Sequence, residues 1–497
     1  MGCIERCHPL LSTPTEHLPI LPRRSDKGGS IPDSAAPPNR STFQGNMADA
    51  GRVWWEYMQH TASAYTTDYG INFANVASHN HFSLGRGGVV FNAHAPVIKL
   101  PAPAVETDYL GLLAVLNSSV ACFLIRANSQ PKGGAANITW SRTFEITGGT
   151  IAELPLPAAL PTSRGAALQE LADAQLATSP DAVVAREALT RDELDVAREE
   201  WHAIRRQMVS HQEELDWEVY GLFGLLDEDL CYHGEDLPDL SPGERAFELF
   251  MAQKLDEPGA DRSWFERLGI VPCTELPAAW PKPYAELVRR RVEVIASLPA
   301  LAVLEAAENK RRWAHDGWAK LEERAARRWI LDALERADFW FDRHGRPTPT
   351  SLAVLADEVS RDEKLVAALS VWTGQKDVDV AGALGKLVEP ESVPYLAALR
   401  NRESGLRKRE AWAATWDAQR RVDAGSDGSQ SGALAVPPEF KEVDFVRSEY
   451  WRLRGKYDQP NERFVAYPAA GREGDTSMVV GWAGWNHAQH ALAVATL

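Results

Sequence analysis

The 25 residues from Ala77 to Pro101, ASHNHFSLGRGGVVFNAHAPVIKLP, hold three histidines, three glycines, one arginine and one lysine. His79 and His81 are two apart. On a strand they share a face, with Cα atoms roughly 6.5 Å apart, which suits a two-histidine metal grip. A hydrolytic metal site also wants an acid close by, and the nearest one downstream is Glu106. The same side chains, with Asn80, Asn92 and His94, supply paired donors and acceptors. A surface that reads a ligand is therefore the competing chemistry, and structural hydrogen bonding is the plain alternative.

Other catalytic templates fail. The chain has no G-x-x-x-x-G-K-[ST], no G-x-S-x-G and no H-E-x-x-H. Five cysteines at 3, 7, 122, 231 and 273 make no disulfide framework. Cys3, Cys7 and His8 lack a second ligand pair at zinc-finger spacing. The acids Glu213, Glu214 and Asp216, and the run Asp227-Glu228-Asp229, read as solvated helix surface.

The elements that would position these residues follow from periodicity. Ile71–Phe82 and Val89–Leu100 read as strands joined by the Gly85–Gly88 turn. Asp108–Asn128 reads as one helix with Asp108 as N-cap, and Asn117-Ser118-Ser119 inside it as packing and capping residues. Phe144–Leu154 reads as strand, turn and strand. From Ser163 to Arg421 the pattern is helical, with segments at 165–178, 181–210, 283–297, 301–339, 380–388 and 394–416. On the 301–339 segment Ala314, Trp318, Leu321, Ala325 and Trp329 recur at helical spacing as a packing stripe. The expected fold is an α/β recognition-like domain followed by a mainly α-helical scaffold, α+β and helix-rich overall. Expected boundaries are a flexible leader at 1–46, the α/β domain at 47–162, helical domains at 163–270 and 271–423, a Gly/Ser-rich linker at 424–440, and an aromatic-rich unit at 441–497. The helical pattern still running at Thr496-Leu497 suggests truncation there.

The formal net charge of −16 argues against nucleic-acid binding by the whole surface. The balance is uneven: residues 47–160 carry six Lys/Arg against seven Asp/Glu, and residues 282–346 carry 14 against 11. A polyanion would have to use these two regions. No run of about 18 apolar residues is present, so no membrane span is expected. The start MGCIERCHPLLSTPTEHLPILP is broken by Pro, His and Glu, unlike a signal peptide, and a cytoplasmic location is expected.

SHNHFSLGRGGVVFNAHAPVIKLP, GLLAVLNSSVACFLI and GGTIAELPLP, in that order, resemble the target-recognition region of large bacterial DNA methyltransferases. QEELDWEVYGLFGL, KRRWA, EYWRLRGKYDQPNERFVAYP and GWAGWNHAQHA extend the likeness. From about Gly51 to Leu497 the chain resembles the C-terminal part of the PglX-type adenine-specific methyltransferases of bacteriophage-exclusion (BREX) systems. The resemblance implies a partner, double-stranded DNA, and a cofactor of the complete enzyme, S-adenosylmethionine. It departs from the family in lacking any Asn-Pro dipeptide, hence the Asn-Pro-Pro-aromatic motif, and any Gly-rich cofactor loop ahead of the recognition region. The expectation is a DNA-recognition and scaffold portion without catalytic or metal-binding residues, binding no cofactor itself and inactive in methyl transfer alone. A separate catalytic subunit or other BREX components are the further partners expected. The DNA contacts expected are His79, Asn80, His81, Arg86, Asn92, His94, Lys132, Arg142, Lys310, Arg311 and Arg312, with Arg324, Arg327 and Arg328 as further phosphate candidates. The competing functions are a helical protein-interaction scaffold of a defence complex and a metal-dependent hydrolase built on His79 and His81.

Overall fold

The computed structural model describes residues 41–42, 45–46, 68–87, 91, 94–134, 138–186, 190–313, 316–424, 436–471 and 474–497. About half of the chain is helical, and the sheets are small, as expected for a helix-rich α+β protein. Two compact units account for it. The first takes 68–183 and 192–318, and the second takes 184–191 and 319–497. The junctions expected near 162 and 270 thus lie inside the first unit.

In the first unit, Gly70–Phe73 is the central strand of an antiparallel sheet, flanked by Phe82–Gly85 and Val97–Ile98. A second sheet orders Val76–Ala77, Thr143–Glu145 and Gln130–Gly133. The expected first strand is therefore broken into short pieces, and the chain around Gly85–Gly87 links two strands that are separated by Gly70–Phe73. After Thr143–Glu145 comes a short helix, Gly148–Ala152, where a second strand was expected. Ile71, Phe73, Phe82, Leu110, Leu113 and Ile125 form the apolar core beneath these sheets.

The single helix expected over 108–128 is two, Glu106–Leu116 and Ser119–Ala127, bent by 66°. Asn117 explains the break. Its side-chain oxygen accepts from the Phe82 amide and its nitrogen donates to the Phe82 carbonyl, both at 3.1 Å. Ser118 leaves helical geometry and caps the next helix by accepting from the Ala121 amide. At the first helix Val105 is the N-cap, and Asp108 sits three residues in, accepting from the Val105 amide. Gly165 of the Thr162–Ala177 helix lets that helix approach closely: a Cβ there would lie 2.4 Å from the Leu110 carbonyl oxygen.

The long helix Arg191–Leu222 packs through Met208, Leu215, Trp217 and Val219 against Lys282–Ser297 and Pro299–Leu304. The helix expected over 301–339 ends at Leu304. It resumes at Trp318–Leu334, so Lys310–Arg312 lie in the irregular segment between.

The second unit is built on a four-stranded sheet of order Ser392–Pro394, Phe464–Ala466, Val479–Trp482 and Thr350–Ser351. The first pair is parallel and the rest antiparallel. The aromatic C-terminal segment is thus woven into the scaffold instead of standing apart. Among the described residues no single helix is long and apolar enough to cross a membrane.

Candidate nucleic-acid interface

The long helix carries Glu213, Glu214 and Asp216 inward, not to solvent as their composition suggests; all three are at most 1% exposed. Buried charge is tolerated only when paired, and each has partners from distant sequence. Asp216 accepts from the Ser119 amide at 2.8 Å and the Ser119 hydroxyl at 2.7 Å, and so caps the helix that starts there. Lys310 Nζ donates to Asp216 and to Glu305, each at 2.7 Å, with Glu213 at 4.0 Å. Arg291 donates to Glu214 at 2.8 Å and to the Leu230 carbonyl. Arg245 grips Glu248 with two nitrogens and donates to the Arg311 carbonyl at 2.7 Å.

Burial opposes the Lys310 charge, but Asp216, Glu305 and Glu213 outweigh it and raise its pKa. Glu305 moves the same way, up from 4.5 to about 7. Burial is the main cause, and the nearby Glu213 and Asp216 add to it against the pull of Lys310. A carboxyl raised in the folded state binds more protons folded than unfolded. Its contribution to stability therefore falls as pH rises from about 4.5 to about 7. Glu305→Gln should remove that slope. Urea unfolding at pH 6 and pH 8 should show wild type losing stability relative to the variant at the higher pH. A difference independent of pH would refute the assignment.

This network holds the Lys310-Arg311-Arg312 segment, with Lys310 buried and the two arginines partly open to solvent. Arg311 and Arg312 are half-buried and are held by neutral groups. Arg311 donates to Asn117 Oδ1 at 3.4 Å and lies over Trp313. Arg312 donates to the Ser78 hydroxyl and lies over Trp140. Three more arginines continue the row. Arg126 donates to the carbonyls of Ser78 and Thr139 at 2.9 and 3.0 Å and lies over Phe144. Arg142 is exposed and close enough to Arg126 to disfavour its charge. Arg205 lies over Trp201 and Trp313, on the Arg311 side. Burial, the first cause in each case, lowers the pKa of Arg126, Arg311, Arg312 and Arg205, the last to about 10. All remain cationic at neutral pH.

The expected contacts divide accordingly. His79 and Asn80 are buried, at 3% and 2% exposure, and cannot reach an external duplex. His79 pairs with the Cys122 thiol at 3.3 Å. Asn80 donates to the carbonyls of Leu116 and Ser118, holding the helix break. Lys310 is equally buried. Arg86 is exposed but bonded to Glu106 and Asp173, each at 3.0 Å, and Lys132 lies 2.8 Å from Glu145. Their charges are already compensated. Arg327 pairs with Glu391. His94 is exposed, and Asn92 lies outside the described residues.

The His81 ring centroid is 5.3 Å from that of His79, although neither residue sits on a strand. Burial of the ring, then Arg311 and Arg312, push its pKa to about 4, so it is neutral at physiological pH. Burial pushes His79 down as well, and the Cys122 thiol up to about 12, so both are neutral. Among the described residues no three His, Cys, Asp or Glu side chains converge as a metal cage. The two-histidine hydrolase reading therefore finds no third ligand among the described residues.

Of the expected contacts, Arg142, Arg311 and Arg312 lie without a carboxylate partner among the described residues, and Arg126 and Arg205, which were not expected, share that arrangement. Both newcomers had a faint signal in the sequence. Arg126 is the lone cation in SVACFLIRA, and Arg205 follows Trp201 by four residues, one helical turn.

Residues 208–497 match the family described as Domain of unknown function (DUF7008). The chain belongs to that family. It is also 41% identical over 495 residues to a Streptomyces coelicolor protein, "Adenine-specific methyltransferase PglX". That alignment covers 96% of this chain and 40% of the relative, so the chain spans less than half the relative's length. The similarity to a PglX protein that the motifs suggested thus extends over nearly the whole of this chain. No solved structure matches it. The DUF7008 match begins within the long helix and takes in Lys310, Arg311 and Arg312, whereas Arg126, Arg142 and Arg205 lie before it.

Proposed function

We propose that this chain is the DNA-recognition and scaffold portion of a PglX-like adenine-specific methyltransferase, working in the cytoplasm within a BREX-type defence system. The observation that carries the reading is the 41% identity across 96% of the chain to a protein named for that activity. An adenine inside a duplex must be extruded to meet a methyl donor, at a cost of a few kcal/mol. Contacts elsewhere on the DNA offset that cost and select the adenine. Phosphate contacts set position, and base-edge contacts set sequence.

S-adenosylmethionine would be held by a part of the enzyme other than these residues. The described sheets are small and mainly antiparallel, and the sequence has no Gly-rich cofactor loop ahead of the recognition region, so the residues present do not fit that cofactor. A catalytic subunit or domain, double-stranded DNA and other defence components are the proposed partners.

The test is binding of the full chain to duplex DNA. Affinity should fall steeply, by orders of magnitude, between 50 and 200 mM salt. Methyl transfer from labelled S-adenosylmethionine should be undetectable with this chain alone. No binding at low salt would defeat the recognition reading. Detectable methylation would defeat the assignment of catalysis elsewhere.

A further inference from the structure

We infer that Arg142, Arg126, Arg312, Arg311 and Arg205 form one continuous phosphate-binding row that tracks the backbone of duplex DNA. The inference rests on the recognition reading and assigns it a surface. The row is contiguous. Arg126 and Arg312 share Ser78, Arg311 and Arg205 share Trp313, and Arg142 acts on Arg126.

Its chemistry is unlike that of the surrounding cations. Arg86, Lys132, Arg164, Arg206 and Arg290, all in the same unit, sit against carboxylates. Arg126, Arg311, Arg312 and Arg205 contact carbonyl, hydroxyl, amide or aromatic groups instead, Arg142 is exposed, and among the described residues none of the five has a carboxylate within 4.0 Å. The acids that act on them do so from farther off, Glu308 on Arg126 and Asp216 on Arg311, and Asp216 is already bonded to Lys310 and Ser119.

In a chain of net charge −16, a row of arginines without counter-charge is short of anions. The guanidinium fork matches the paired oxygens of a phosphate. Five in sequence call for a repeating anion, not a single one. The neutral imidazole of His81 lies beside Arg311 and Arg312, where it can donate or accept a hydrogen bond next to the backbone contact. The surface is also composite. Arg126 and Arg142 come from the recognition-like region, Arg205 comes from the long helix, and Arg311 and Arg312 come from the irregular segment after Leu304.

Fluorescence anisotropy of the full chain with a labelled duplex tests this. Arg142→Gln and Arg312→Gln should each reduce the slope of log affinity against log salt by about 1, equally for unrelated sequences. Arg86→Gln and Lys132→Gln should leave the slope unchanged. Arg142 is exposed, so its substitution spares the fold, and a thermal melt checks Arg312→Gln. A second readout is the His81 imidazole followed by NMR with labelled histidine. Bound duplex should raise its pKa from about 4. Wild-type binding with slopes unmoved in the Arg142 and Arg312 variants overturns this assignment and leaves the recognition reading standing. No duplex binding at all overturns both. A His81 response to inorganic phosphate without any duplex binding marks a small-anion site and overturns the backbone assignment.

Discussion

Lys310→Met should destabilise the first compact unit by roughly 3–5 kcal/mol, the usual cost of removing one partner from a buried charge cluster. The substituted side chain is of similar length and apolar, so the loss is one of charge and not of volume. Asp216, Glu305 and Glu213 would then face one another without the central ammonium, inside a site that is about 1% exposed at Lys310. Some must take up protons or admit water. Glu305, already at about 7, would be the first to do so.

Adding Glu305→Gln should recover part of the loss, because one of the stranded carboxylates is then gone; the two changes are in contact and should not be additive. Amide exchange should rise in the long helix near Gln212–Trp217 and in the helix capped by Asp216. Duplex binding should weaken too, since Arg311 and Arg312 depend on the backbone that Lys310 pins. A loss below about 1 kcal/mol would mean that the cluster is not structural. Normal folding with lost DNA binding would mean that Lys310 contacts DNA after all.

Three adjacent cations, Lys310-Arg311-Arg312, show what a sequence conceals. Their formal charge is the same, and nothing local says that the first is a buried anchor while the other two are partly open to solvent. The difference lies in acids at positions 213 and 216, some 94 residues away from Lys310, and in Arg245 reaching back to the Arg311 carbonyl. The same distance hides the burial of Glu213, Glu214 and Asp216. QEELDWE reads as polar surface because its partners, Arg291 and Lys310, come from other elements.

Local signals fared better where the fold is local. The helix at Val380–Val388 begins where Asp379 can cap it, and its apolar spacing sets its extent. The break at Asn117 escaped because the apolar periodicity continues through it, while the bonds that enforce it reach Phe82, 35 residues earlier. His79 drew attention as chemistry for a related reason. A buried histidine paired with a cysteine 43 residues on looks no different in sequence from one at a surface.

The second unit should show its largest response at Trp340. Its side chain is fully buried, its indole nitrogen donates to the Leu334 carbonyl at 2.6 Å, and its ring packs 5.6 Å from Phe464 and 6.4 Å from Trp485. Trp340→Ala should cost about 3–5 kcal/mol, the sum of lost transfer energy and the cavity left behind. Trp340→Phe keeps part of the packing but leaves the Leu334 carbonyl without its donor, which costs about 1–3 kcal/mol from the unmet acceptor. Trp329, in the helix just before it, is only half-buried, with Lys364 over its ring at 4.8 Å. Its change to alanine should cost less than either. Because Phe464 belongs to a strand paired on both sides, the Trp340→Ala loss should appear as faster amide exchange along Phe464–Ala466 and Val479–Trp482. If Trp329→Ala equals or exceeds Trp340→Ala, the core of this unit does not lie where the sheet places it.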